Sequence, residues 1–179
     1  MSSTRDQLLR AAADFLGRRP NATQDEIATA VGVSRATLHR HFSGRAALMG
    51  ALEELAVAEL REVLKTVRLD EGSATDALRR LVTACEPISP YFVLLYSQSQ
   101  EADLETTIEI WDEVDSAITE LFLRGQREGA FRPELTAAWL TEAFYSLIAG
   151  TAWSIRAGRA AARDFDRLIT DLLLNGVKK

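Results

Sequence analysis

The chain has 179 residues, 47% of them hydrophobic and 26% charged. That length suits one compact unit with a small head, and the composition excludes disordered and collagen-like classes. A formal net charge of −5, taken alone, argues against an unspecific binder of nucleic acid or membrane surfaces. The charge is unevenly spread, however. Residues 1–50 carry seven arginines against Asp6, Asp14, Asp25 and Glu26, a net of +3, and the remainder carries 14 cations and 22 carboxylates, a net of −8. A basic head on an acidic body points to different partners for the two parts.

Cys85 is the single cysteine, which excludes an intrachain disulfide or a CxxC motif and suits a reduced, cytoplasmic setting. No signal peptide is expected at the N-terminus, because no apolar run leads to a small-residue cleavage site. From Leu135 to Ile155 the only charge is Glu142, a length that can span a bilayer. Hydroxyl side chains and Trp139, Tyr145 and Trp153 are scattered along it, so a helix buried on several sides is expected and a membrane partner is not.

Apolar residues recur three and four apart nearly throughout, and strand-like alternation is missing, so the chain is expected to be all-α. A first helix is predicted over 4–17, with Leu8, Leu9, Ala12, Phe15 and Leu16 on one face and Gly17 and Pro20 ending it. Thr23-Gln24-Asp25-Glu26 reads as a capping box opening a short helix to Val31. Gly32 turns the chain, Ser34 caps another short helix to His41, and Ser43 is expected to cap the next. That long helix, 45–67, carries Leu48, Leu52, Leu55, Ala56, Leu60, Val63 and Leu64 as a stripe and is broken at Asp70-Glu71-Gly72-Ser73. Further helices are predicted over 74–85, 90–98, 102–128, 134–157 and 163–175, the last ending at Asn175-Gly176.

Residues 24–41 form the pattern short helix, glycine turn, short helix. Ala28 is small enough for close approach, Gly32 allows a positive φ, and Val33 and Leu38 fill the space between the helices. Arg35, Ala36, Thr37, His39 and Arg40 are then left facing outward, where such groups donate to phosphates or meet base edges. Arg35, Thr37 and Arg40 are expected to read bases or clamp phosphate. Thr23, Ser34, His39, His41 and Arg45 are expected to position phosphates, with a core place beside Phe42 as the alternative for His41.

Ile27-Ala28, Gly32-Val33-Ser34, Thr37-Leu38, His41-Phe42, Arg45 and Leu48 stand at positions that make residues 5–52 resemble the DNA-binding region of the TetR-family transcriptional regulators. Two positions depart from the family: His39 stands where Tyr is usual, and Arg45 where Lys is usual. The aromatic usual before the second helix is missing from 18–22. The resemblance implies an all-α homodimer with a three-helix helix-turn-helix head (1–46) on a larger helical ligand-binding and dimerisation body (47–179). It also implies a pseudo-palindromic operator on double-stranded DNA, and a small molecule that loosens the complex and usually relieves repression.

In the body, Leu104–Arg127 is amphipathic at 100° per residue, except that Asp115 falls inside the apolar sector. An unpaired carboxylate there is costly. It is expected to pair with Arg or a hydroxyl, to sit at a subunit seam, or to line a cavity for a ligand bearing a cation or a donor. Phe92, Tyr96, Trp111, Phe122 and Tyr145 are expected around such a cavity, with Cys85 at its mouth beside Pro87. The nearly uncharged 134–157 helix (Trp139, Phe144, Leu147, Ile148, Thr151, Ile155) and the last helix (Phe165, Leu168, Ile169, Leu172) suggest a four-helix dimer seam.

An enzyme is not expected. Both histidines lie in the head, and no Gly-rich phosphate loop, GxSxG, HExxH or Glu-x-x-His motif occurs in the body, so no metal, cofactor or catalytic group is assigned. The rival reading is a helical ligand sensor or protein adaptor that does not bind DNA specifically, against which Arg35, Arg40 and Arg45 count.

Overall fold

The computed structural model describes the backbone of residues 4–98 and 104–177 and the side chains of 5–95 and 110–176. Among the described residues the fold is helical, without β-strands. The head consists of α1 (Thr4–Arg18), α2 (Gln24–Ala30) and α3 (Arg35–His41). The body follows as α4 (Arg45–Val67), α5 (Ala74–Cys85), α6 (Ser89–Gln98), α7 (Leu104–Arg127), α8 (Ala137–Arg156) and α9 (Phe165–Val177).

Local chemistry sets most of the boundaries. Ser73 and Thr136 cap α5 and α8 by accepting from Asp76 N and Trp139 N, each satisfying a donor the helix leaves free. Two sequence expectations fail here. Ser43 is not the cap of α4; Gly44 occupies that position and offers no side-chain bond. The last helix does not stop at Asn175-Gly176 but continues through the glycine to Val177, because a glycine ends a helix only where the chain turns left-handed after it.

Among the described residues two hydrophobic cores form, and α4 and α6 serve both. Leu9, Ala12, Leu16, Ile27, Ala28, Leu38 and Phe42 of the head pack with Leu48 and Leu52 of α4 and Leu94 of α6. Val57 and Leu60 of the same α4, and Phe92 and Val93 of the same α6, enter the body core. α6 lies against both α1 and α8. A displacement of α4 or α6 in the body therefore reaches the head through close-packed side chains.

Candidate nucleic-acid interface and ligand site

The capping box at the start of α2 is complete. Thr23 N donates to Glu26 Oε2 at 2.8 Å, and Glu26 N donates to Thr23 Oγ1 at 3.3 Å. At α3, Ser34 Oγ accepts from Thr37 N at 3.1 Å, and the two hydroxyls lie 3.0 Å apart. Gly32 adopts φ +78, a conformation that side chains with a β-carbon resist. It lets Val33 N donate to Ala28 O at 3.0 Å, closing the turn. Leu38 and Phe42 are buried beneath α3, leaving Arg35, Ala36, His39 and Arg40 exposed along its outer side.

These cations are not equally available. Arg35 is paired with Asp25 of α2 at 3.1 Å, with both side chains largely exposed, whereas Arg40 sits exposed at the end of α3. Arg45 donates to Ala22 O at 2.9 Å and to Pro20 O, pinning the start of α4 to the loop between α1 and α2. The residue expected to touch phosphate thus also fixes the loop that delivers Thr23. His41 is half-buried, its ring tilted against Phe42 with centroids 6.3 Å apart. Sequence reasoning missed Arg5, whose guanidinium lies 5.1 Å from the centre of the Phe42 ring.

In the body, three rings from three helices meet. Phe92 of α6 stacks on Tyr145 of α8 with centroids 5.6 Å apart, and Trp111 of α7 meets Tyr145 edge-on at 5.4 Å. Such aromatic pairs contribute about 0.5–1.5 kcal/mol beyond their burial. The Tyr145 hydroxyl donates to Asp115 Oδ1 at 2.7 Å, so the carboxylate that breaks the apolar sector of α7 is satisfied by a hydroxyl. Cys85 is fully buried, and burial pushes its thiol up to about 12. Phe122 is not brought to this cluster. It lies two turns beyond Asp115, packed on Phe131 with centroids 5.9 Å apart, because seven residues of helix keep the face but advance about 10 Å. The Tyr96 side chain lies outside the described residues.

Burial raises the Asp115 carboxyl above its ordinary range; the bond from Tyr145 opposes this and Asp112 adds to it. Glu142 of α8 is raised as well, by burial and by Asp115. Between its ordinary and raised values the folded state keeps a proton on Asp115 that the unfolded chain has lost. Stability therefore falls as pH rises through that window and stays reduced above it. Asp115→Asn keeps the acceptor for Tyr145 and removes the charge. Its melting temperature is expected to exceed that of the wild type at neutral pH, the difference closing as the sample is acidified below the window.

Polar ties join this cluster to α4, and α4 and α6 to the head, and none is legible in the sequence. Trp111 Nε1 donates to Glu53 Oε1 of α4 at 2.9 Å. Arg10 of α1 pairs with Glu59 of α4 and donates to the Tyr91 hydroxyl of α6 at 3.4 Å. The available signal was modest: Tyr91 immediately precedes Phe92, and Glu53 follows Leu52.

The expected dimer residues divide into three groups. Phe144, Ile148, Phe165 and Ile169 are buried in the chain's own core. Leu147, Thr151, Ile155 and Leu168 are partly exposed. Trp139 and Leu172 face outward with exposures of 58% and 62%, joined by Trp153 at 47%. Among the described residues no helix is long and apolar enough to cross a membrane, and no cluster of His, Cys, Asp or Glu is set to hold a metal ion.

A helix-turn-helix whose second helix, α3, leaves Arg35, His39 and Arg40 exposed, mounted on a helical body with an aromatic cluster, has the architecture of a DNA-binding regulator. Comparison with known proteins agrees. The family model for bacterial regulatory proteins of the tetR family matches residues 8–52. The chain is 34% identical over 173 residues to the HTH-type transcriptional regulator NfxB of Pseudomonas aeruginosa, covering 96% of this chain and 92% of that one. It is 30% identical over 164 residues to the HTH-type transcriptional repressor LfrR of Mycolicibacterium smegmatis, covering 90% and 80%. The crystal structure of LfrR in complex with proflavine superposes with a TM-score of 0.79 at 27% identity, covering 98% of this chain and 97% of that one. The chain belongs to the tetR family and is a helix-turn-helix transcriptional regulator.

Proposed function

We propose that this protein is a cytoplasmic repressor that holds a pseudo-palindromic DNA site as a homodimer and leaves it when a small molecule enters the body. The observation that carries the reading is the pairing of a capped, cation-bearing α3 with two helices, α4 and α6, that enter both cores. Residues 1–46 are the DNA-binding unit and 47–179 the ligand-binding and dimerising unit. Arg35, Ala36, Thr37 and Arg40 face the bases. Thr23, Ser34, His39, His41 and Arg45 address phosphates. The outward row of Trp139, Trp153 and Leu172, flanked by Leu147, Thr151, Ile155 and Leu168, is the dimer seam. Three large apolar side chains left this exposed on two adjacent helices suit an isologous interface.

The ligand chamber is built from Phe92, Trp111, Tyr145 and Asp115. The stacked rings favour a flat aromatic molecule, and a partly buried carboxylate favours one that carries a cation or a donor. Proflavine, found with LfrR, has this chemistry and serves as a probe. A ligand that separates the rings pulls on Glu53 through Trp111 and on Arg10 through Tyr91, and so changes the spacing of the two α3 helices from the roughly 34–36 Å, or somewhat more, that suits duplex DNA. Titrating proflavine fluorescence tests the chamber. Asp115→Ala is expected to weaken binding about 10-fold or more, as for the loss of a charge-assisted hydrogen bond, whereas affinity equal to wild type removes Asp115 from the site.

A further inference from the structure

The acidic body has a basic end, and it is the end that touches the head. α8 finishes at Arg156 with its guanidinium against α1, so close that a β-carbon on Gly17 would stand 2.7 Å from Nη1. Gly158 then turns at φ +69, and Arg159 N donates back to Ser154 O at 2.8 Å, which keeps Arg159 at the same end. Arg163 follows in the 3-10 turn Ala162–Asp164. The start of α9 is held at this level by Thr83 of α5, whose hydroxyl donates to Asp166 Oδ2 at 2.9 Å. Residues 14–19 and 156–164 together hold five arginines, Arg18, Arg19, Arg156, Arg159 and Arg163, against Asp14 and Asp164. All five arginines are exposed. Asp164 is engaged by Arg167 at 3.2 Å.

The cluster also continues into the DNA-reading head. Arg19 reaches Glu26 in the first turn of α2 at 3.9 Å, the turn whose cap is Thr23. Arg18 lies near enough to Arg156 to depress its guanidinium, although burial contributes more and Asp14 opposes both. Like charges that outnumber the carboxylates beside them are stabilised by a polyanion.

We propose that these arginines form a second DNA-facing surface, which holds the phosphate backbone beside the base-reading helix whatever the base sequence. The proposal rests on the DNA-binding reading of the head, and extends it to a part of the body that net charge alone marks as repelling DNA. Its contribution is electrostatic, so it adds equally to operator and unrelated duplex and steepens the salt dependence.

The test uses the full-length protein and a labelled duplex of about 30 base pairs of arbitrary sequence, long enough for two half-sites, titrated at several salt concentrations. Arg159→Gln/Arg163→Gln is expected to lose about tenfold in affinity at low salt. Each phosphate contact adds about 0.9 to the slope of log affinity against log salt, so the slope is expected to fall by about 2 to 4 for a dimer. Arg159→Lys/Arg163→Lys keeps the wild-type values. Arg18→Gln/Arg19→Gln, on the other element of the cluster, repeats the loss and covers the case in which the first pair disturbs folding; thermal melts and sedimentation identify such a case. Gln variants that are folded and bind with wild-type affinity and slope overturn the proposal while leaving the head's role intact. A wild type that binds no duplex overturns both.

Discussion

Arg40→Ala is expected to lower affinity for the operator by about 1–3 kcal/mol per half-site, at least about tenfold for the dimer, and to relax base preference at one symmetric pair of positions. Arg40 is the exposed cation at the end of α3, and the Ser34 cap and the buried Leu38 and Phe42 hold that helix in one orientation. The loss is therefore that of a base contact and not of the fold. Arg35→Ala is expected to cost less. Arg35 must first give up Asp25, and an exposed pair of that kind is worth about 0–1 kcal/mol. Competition binding with operator variants separates the two: a uniform loss across all sequences assigns Arg40 to phosphate, and a position-specific loss assigns it to a base.

The second large effect is on stability. The chain folds back over the end of α7, with Ala130 N and Phe131 N both donating to Gly125 O, at 2.9 and 3.1 Å. This lays the Phe131 ring on Gly125, where a β-carbon would fall 2.1 Å from Cδ2. Phe131 is fully buried and packs on Phe122. Phe131→Ala is expected to cost about 3–5 kcal/mol. Gly125→Ala forces the ring aside and is expected to cost about 1–3 kcal/mol or more. In the Phe131→Ala background the same Gly125→Ala change meets no ring, and helix propensity favours it by up to about 1 kcal/mol. Denaturant unfolding of the four proteins reads this coupling. Simple addition of the two losses would show that the ring contact is not what reserves position 125 for glycine.

The helices and the DNA-reading head were largely legible in the sequence, because both depend on local chemistry. Thr23 with Glu26, Gly32, and Ser34 with Thr37 act within a few residues of one another, and their bonds form as spacing predicts. The misreadings have local causes too. Ser43 is a good capping residue one position too early, and Gly176 resembles a helix stop without the turn that makes one. Long-range partners were less legible. Asp115 was marked as anomalous by its place on α7, but only the fold supplies Tyr145, 30 residues away. Glu53 with Trp111, and Arg10 with Glu59 and Tyr91, join elements whose relative placement no periodicity encodes. Phe122 shares a face with Trp111, and was misgrouped with it because helical angle ignores height along the axis.

Net charge is the least informative number in this sequence. The −5 of the whole chain conceals a basic head, and the body's −8 in turn conceals a basic end at Arg156, Arg159 and Arg163. Charge became informative only when assigned to a surface.

Selecting bound fragments from random duplex DNA with the purified wild-type protein is the most direct measurement. Enrichment of an inverted repeat, with half-site centres about one helical turn apart or somewhat more and two chains bound per site, is the expected result. Recovery of fragments indistinguishable from the input, or of a single unrepeated half-site held by one chain, would contradict the reading of this protein as a dimeric regulator of a specific operator.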